Sequence, residues 1–235
     1  MIRLLLLLLI FNLGLPAFAQ QEKKILFSDA LSMHLPKYDK MAQIAYEHRD
    51  YIKAQHLFDS LINYNLNGSY MDDFSFNKLN GKEISLHNFK KPIYLITYAS
   101  WCVTSDGEIP AINKLADKYG DQVDFVILFW DNQKITKKMA KSYNSNIKVV
   151  YVNELTNKDS YVISKLKHSL GLPTTFLIDT DKKILDIKRG VTHAYGISFN
   201  ESFSLNYDSI NDGITNYLLG NKRSFGTRQD PVAAN

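Results

Sequence analysis

The 235 residues predict an α/β fold: a central mixed sheet flanked by helices, preceded by a β-hairpin and an N-terminal helical extension. Three observations point there. From residue 93 onward, short apolar runs alternate with stretches of helical periodicity, as they do where helices cover both faces of a sheet. Just before, alternating apolar residues flank Asn80-Gly81, a tight-turn dipeptide. Residues 20–70 read as helical and polar, with apolar residues recurring at helical spacing.

In chain order, residues 1–19 read as a secretory leader. Met1-Ile2-Arg3 supplies a positive start, Leu4 to Ile10 an apolar run extended by Phe11, Leu13 and Leu15, and Ala17-Phe18-Ala19 the small residues of a cleavage site. The run is too short and wrongly flanked for a membrane span, and no cysteine follows it to carry a lipid. The chain is therefore expected to be exported, to the periplasm or outside the cell, with no membrane span after cleavage. In residues 20–70, Tyr38, Met41, Ala42, Ala45 and Tyr46 form one helical set, and Tyr51, Ala54, Phe58 and Leu61 a second. They read as a helical hairpin leaning on the main domain; a lone helical repeat could not bury its own apolar face. The turn-rich stretch from Asn65 to Asp73 marks the boundary.

The main domain is expected over residues 71–220. Phe74, Phe76 and Leu79 alternate up to Asn80-Gly81, and Ile84 and Leu86 resume after it, which gives the hairpin. Ile93 to Tyr98 reads as a buried strand. Ile109, Ile112, Leu115, Ala116 and Tyr119 make one helical face, ended by Gly120. Val123 to Trp130 is a second strand, Ile135 to Tyr143 a short helix, and Ile147 to Val152 a third strand. Ser160 to Leu170 reads as a helix stopped by Gly171. Thr174 to Ile178 and Ile184 to Ile187 are strands joined by a polar turn. Ile210, Ile214, Tyr217 and Leu218 make a last helix, and residues 221–235 a polar, disordered tail.

The formal net charge is +4, with Lys and Arg scattered along the chain, so no nucleic-acid partner is expected. The six histidines show no metal-ligand spacing, no Gly-rich phosphate loop exists, and no metal or cofactor is expected. The chain has a single cysteine, Cys102, in Ser100-Trp101-Cys102-Val103-Thr104-Ser105 at the end of the first buried strand. Dithiol chemistry needs one sulfur to attack and another to resolve the mixed disulfide. With one thiol, this chain cannot shuttle between dithiol and internal disulfide.

Phe74-Ser75-Phe76, Asn80-Gly81-Lys82, Ser85-Leu86, Ala99-Ser100-Trp101-Cys102, Glu108 and Pro110, and Gly171-Leu172-Pro173-Thr174-Thr175-Phe176-Leu177-Ile178-Asp179 follow one another in the order of a known family. Over residues 71–192 the chain resembles the TlpA/ResA-like branch of exported thioredoxin-fold proteins. The resemblance implies a thioredoxin-like fold with the cysteine at a helix N-terminus, a cis Pro173 facing it, and thiol–disulfide exchange with exported protein thiols or disulfides. It implies Cys102, Ser105 and Glu108 as the reacting group and its neighbours. Trp101, Leu172, Pro173 and Thr174 would form the substrate-facing side, with Leu172 hydrogen-bonding an extended peptide. The family's Cys-x-Pro-Cys is here Cys102-Val103-Thr104-Ser105, with Asp106 in place of the basic residue that often follows. Peroxiredoxin chemistry does not fit, because Ala99 and Leu95 stand where its Thr and Pro are needed, and copper carriage needs two cysteines.

Two arrangements of the helix start are open. If the helix begins at Cys102, its N–H groups acidify the thiol and Ser105 donates to the thiolate; the incoming strand favours this. If Ser105 and Glu108 form a capping box, the helix begins later and Cys102 lies outside its dipole. Asp106 and Glu108 oppose the thiolate in either case, and Gly107 in a first turn would weaken the helix by about 1 kcal/mol. Two functions follow: exchange through Cys102 alone, or a redox-silent module that binds an extended segment at the Trp101–Pro173 face.

Overall fold

β3 (Ile93–Tyr98) and β4 (Asp124–Phe129) are buried along their whole length and run parallel at the centre of the sheet. The computed structural model that shows this describes residues 24–157, 162–189 and 196–220. The expected leader, the tail, His193 and the start of the helix expected over 160–170 lie outside those residues. The other strands are β1 (Ser75–Lys78), β2 (Glu83–Ser85), β5 (Ile147–Tyr151), β6 (Thr174–Ile178) and β7 (Ile184–Arg189). They complete a seven-stranded sheet of order β2-β1-β5-β4-β3-β6-β7. β4 also pairs parallel with β5, and every other pairing is antiparallel. The β1–β2 hairpin sets Phe76 opposite Ile84 and turns through Gly81 at φ +83, a left-handed conformation that glycine adopts without steric cost.

Side chains alternate across the sheet, so each strand feeds two cores. Leu95, Val126, Leu128, Phe176 and Ile187 face α1 (Phe27–Glu47), α2 (Tyr51–Leu61) and the π-helical segment Ile163–His168. Tyr94, Ile96, Tyr98, Phe125, Ile127 and Leu177 face α3 (Glu108–Tyr119) and the last helix. A short helix, α4 (Gln133–Met139), links β4 to β5. The N-terminus of α1 has no cap of its own. Asp72, just before the sheet, accepts from Ser28 N at 3.0 Å and from Ser28 Oγ at 2.7 Å, placing a carboxylate on the free N–H end of the helix. Among the described residues, no helix is long and apolar enough to cross a membrane.

Two helix starts differ from the sequence reading. The last helix, α5 (Phe199–Gly213), continues as a π-helical turn over Ile214–Leu218 and starts three turns before Ile210. Those first turns bury the polar Ser202 and Asn206 and carry Phe199, Phe203 and Tyr207 four residues apart, stacked along the helix, a stripe the sequence reading did not use. The helix after β3 begins at Glu108, not Cys102, with Gly107 as its N-cap. The physical reason lies in α5. Gly107 N donates to Ser202 Oγ at 3.0 Å, and Asn206 Nδ2 donates to Ser105 Oγ at 2.9 Å. The Ser105 hydroxyl and the Gly107 N–H are thus bonded to α5.

Candidate active site

Parallel strands deliver their carboxyl ends to one edge of a sheet, where loops are free to build a site. Here that edge collects the turn after β3, the residue pair Trp130-Asp131 after β4, the loop before β6 and the end of β7. The β3–β6 ladder pairs Thr97 with Thr174 as its last rung, which brings the Leu172–Pro173 loop alongside the turn that carries Cys102. The Leu172–Pro173 bond is cis.

The turn is tightly fixed. Cys102 N donates to Ala99 O at 2.9 Å, and Ala99 N donates to Cys102 Sγ at 3.4 Å, so the sulfur folds back over its own turn. Ser100 is held by Asp131: its N–H reaches Oδ2 and its hydroxyl Oδ1, both at 2.7 Å. Trp130 N donates to Tyr98 O at 2.8 Å and locks the two strand ends together. Cys102 is half-buried and packs against both cores. Its thiol is pushed above the usual cysteine value, first by burial; the Ala99 amide pulls it down, Asp131 and Glu108 push it up, and Lys167 pulls it down. Lys167 is itself paired with Glu154. The thiol therefore lacks the helix N-terminus and the surplus of positive charge that make a cysteine acidic.

Neither arrangement of Ser105 is realised. Glu108 N meets the Ser105 carbonyl at 3.1 Å instead of its hydroxyl, so no capping box forms, and the hydroxyl accepts from Asn206. Gly107 lies outside the helix; a Cβ there would stand 2.1 Å from Phe203 N, so it is close approach of α5 that requires glycine. Glu108 turns inward. Its Oε1 accepts from Tyr98 Oη, and its charge adds to burial in raising the Tyr94, Tyr98 and Tyr143 hydroxyls above the ordinary phenol value.

Val103, Ser105, Glu108 and Arg189 line a cleft of about 390 Å³ with the 170–173 loop. A smaller cavity shares Glu108 and Arg189 and continues along the sheet past Tyr94 and Asn206. Trp101, at 69% exposed, and Val103, at 94%, stand at the surface beside the cysteine. Leu172 and Pro173 line the cleft itself. Thr174 is fully buried. It donates its hydroxyl to Gly171 O at 2.8 Å, and its carbonyl accepts from Thr97 Oγ1 at 3.2 Å. The sequence reading missed Asp131, Ser202, Asn206 and Arg189. Asp131 follows a strand end and could have been suspected, whereas the partners of Ser202 and Asn206 lie about a hundred residues away. Among the described residues, no three His, Cys, Asp or Glu side chains gather as a metal site.

The sequence model of the Redoxin family matches residues 66–201. Over 126 residues, 52% of this chain and 69% of the relative, the chain is 32% identical to the thiol-disulfide oxidoreductase ResA of Bacillus thuringiensis. Over 128 residues, 52% and 71% of the two chains, it is 29% identical to the thioredoxin-like protein YneN of Bacillus subtilis. A solved thiol:disulfide interchange protein from Bacteroides sp. superposes with a TM-score of 0.50 at 20% identity, covering 67% of this chain and 93% of that one. The α/β architecture is thioredoxin-like, in line with the resemblance to TlpA/ResA-like proteins.

Proposed function

The chain belongs to the Redoxin family, and from that premise we propose that it exchanges thiols and disulfides with protein partners through Cys102 alone, in the periplasm or outside the cell. Relatives named as thiol-disulfide oxidoreductases support the redox class. The observation that carries the single-thiol form is Cys102 itself. It is the one cysteine in 235 residues, and the next residue in the chain, Val103, lines the cleft together with the cis Leu172–Pro173 loop. The leader-like residues 1–19 support export.

The Cys102 thiolate attacks one sulfur of a partner disulfide. The Cys102–S bond forms as the partner's S–S bond breaks, and the second partner sulfur leaves as a thiolate that takes up a proton. Ser105 stands where a dithiol site carries its second sulfur, so nothing in the chain attacks the mixed disulfide. A thiol from another molecule resolves it and leaves Cys102 reduced. Trp101 and Val103 supply an apolar rim, and the Leu172 backbone pairs with an extended partner segment against Pro173. Ser105 and Glu108 present polar groups to the cleft, while Thr174 holds the loop from within the sheet.

The raised thiol favours a second reading, a module that holds an extended segment in the same cleft with no covalent step. Incubating folded protein with glutathione disulfide at pH 8 separates the two. Exchange is expected to give one mass adduct, abolished in Cys102→Ala, with insulin reduction no faster than a monothiol background. No adduct on folded protein would remove the exchange reading. The binding reading would then stand if Cys102→Ala left partner capture unchanged.

A further inference from the structure

We propose that Asp131 is the positioning residue that sets the reactivity of Cys102. It works in two ways: it holds Ser100, two residues before the cysteine, and its charge opposes the thiolate across space. Its carboxylate receives both of Ser100's donors, N–H and hydroxyl, at 2.7 Å each. Ser100 is the second residue of the tight turn closed by Cys102 N to Ala99 O. Fixing it fixes where the sulfur meets the Ala99 amide. The same carboxylate sets a negative charge beside the place where a thiolate must form, and like charge disfavours ionisation.

The charged groups that face the sulfur divide clearly. Asp131 comes from the end of β4 and Glu108 from the start of α3, and both oppose the thiolate. Lys167 comes from the π-helical segment and favours it, but shares its charge with Glu154. Glu108 is bonded to Tyr98 Oη and lies in the cleft. Asp131 is the acid that also holds the turn. One side chain therefore holds the turn that carries the thiol and adds to burial in opposing its ionisation, which suits a cysteine that should react only with a partner already seated beside it. This role rests on the exchange reading for its purpose, but its test does not.

Asp131→Asn keeps an acceptor for Ser100 N–H and offers an amide donor to Ser100 Oγ, so it removes the charge while preserving the clamp. Ser100→Ala keeps the charge and loses one of the two bonds. The readout is the pH dependence of Cys102 alkylation by iodoacetamide, a neutral reagent, in the folded full-length chain. Asp131→Asn is expected to move the alkylation midpoint down by about half a pH unit, which is about threefold in rate at pH 7. Ser100→Ala is expected to keep the wild-type midpoint. An Asp131→Asn profile that superimposes on wild type, or a Ser100→Ala profile shifted as far as that of Asp131→Asn, would overturn the proposal. Alkylation involves no disulfide, so a failed glutathione adduct leaves this result standing, and the reverse holds too.

Discussion

Gly107 shows how a missing side chain can fix the loop that carries a thiol. Its φ of −87 is open to any residue, so conformation does not demand glycine. Space does: a Cβ would lie 2.1 Å from Phe203 N and 2.4 Å from Phe203 Cα, both backbone atoms that cannot swing aside. Gly107→Ala must push α5 away from the loop and strain the Gly107 N to Ser202 Oγ bond. The expected cost is about 1–3 kcal/mol, the usual range for overpacking, read as a lower urea midpoint; an unchanged midpoint would contradict it. Cys102, at the other end of the loop, couples to pH with a definite sign. Its folded thiol is raised by burial, so the unfolded chain ionises first, near pH 8.5. The stability owed to the neutral thiol is whole below that pH and is lost as pH rises through the folded value. The stability margin of wild type over Cys102→Ala should therefore shrink above about pH 8.5; a growing margin would show the thiol to be depressed instead.

At the scale of elements, the strands were readable and the helix starts were not. β3 and β6 have the bounds the sequence suggests, Ile93–Tyr98 and Thr174–Ile178, because each is a largely buried run that starts just after a proline. Local chemistry sufficed there. The start of α3 is decided by tertiary contacts. Ser105 and Glu108 have capping-box spacing, yet α5 takes the Ser105 hydroxyl through Asn206, and no local rule could foresee a partner so distant in the chain. The cis proline loop was legible only through the family motif, and Asp131 at the site was not singled out at all. Asn206 is the testable joint. Its amide is buried and serves both Ser105 Oγ and Ser202 O. Asn206→Ala is expected to cost about 1–3 kcal/mol, the range for a lost buried hydrogen bond and its stranded partner. Amide exchange over residues 103–107 should speed up more than over β3. Equal protection of the loop in mutant and wild type would mean that α5 does not hold it.

Across the whole molecule, the N-terminal helices share a core with the sheet. Phe27 and Leu31 of α1, and Phe58 and Leu61 of α2, belong to the same buried cluster as Leu95, Val126 and Phe176. Phe27 meets Phe176 edge-on with ring centroids 5.6 Å apart, a favoured aromatic geometry. The link extends to the site: the Arg189 guanidinium, at the end of β7, lies 3.9 Å from the Phe58 ring centroid and donates to Tyr38 Oη at 3.2 Å, and Arg189 also lines the cleft. A hairpin merely leaning on a finished domain would melt by itself. A shared core must melt as one. The chain carries its own pair of probes, because both tryptophans, Trp101 and Trp130, sit at the cleft edge of the sheet and none lies in residues 24–66. Helix content by far-UV circular dichroism and tryptophan fluorescence are therefore expected to trace one coincident urea transition. Phe27→Ala should move both curves together to lower urea, by about 3–5 kcal/mol for a large aromatic removed from a core. Loss of helical signal while the fluorescence stays native would show that the helices are an independent appendage, and would cut the path by which α1 and α2 position Arg189 at the cleft.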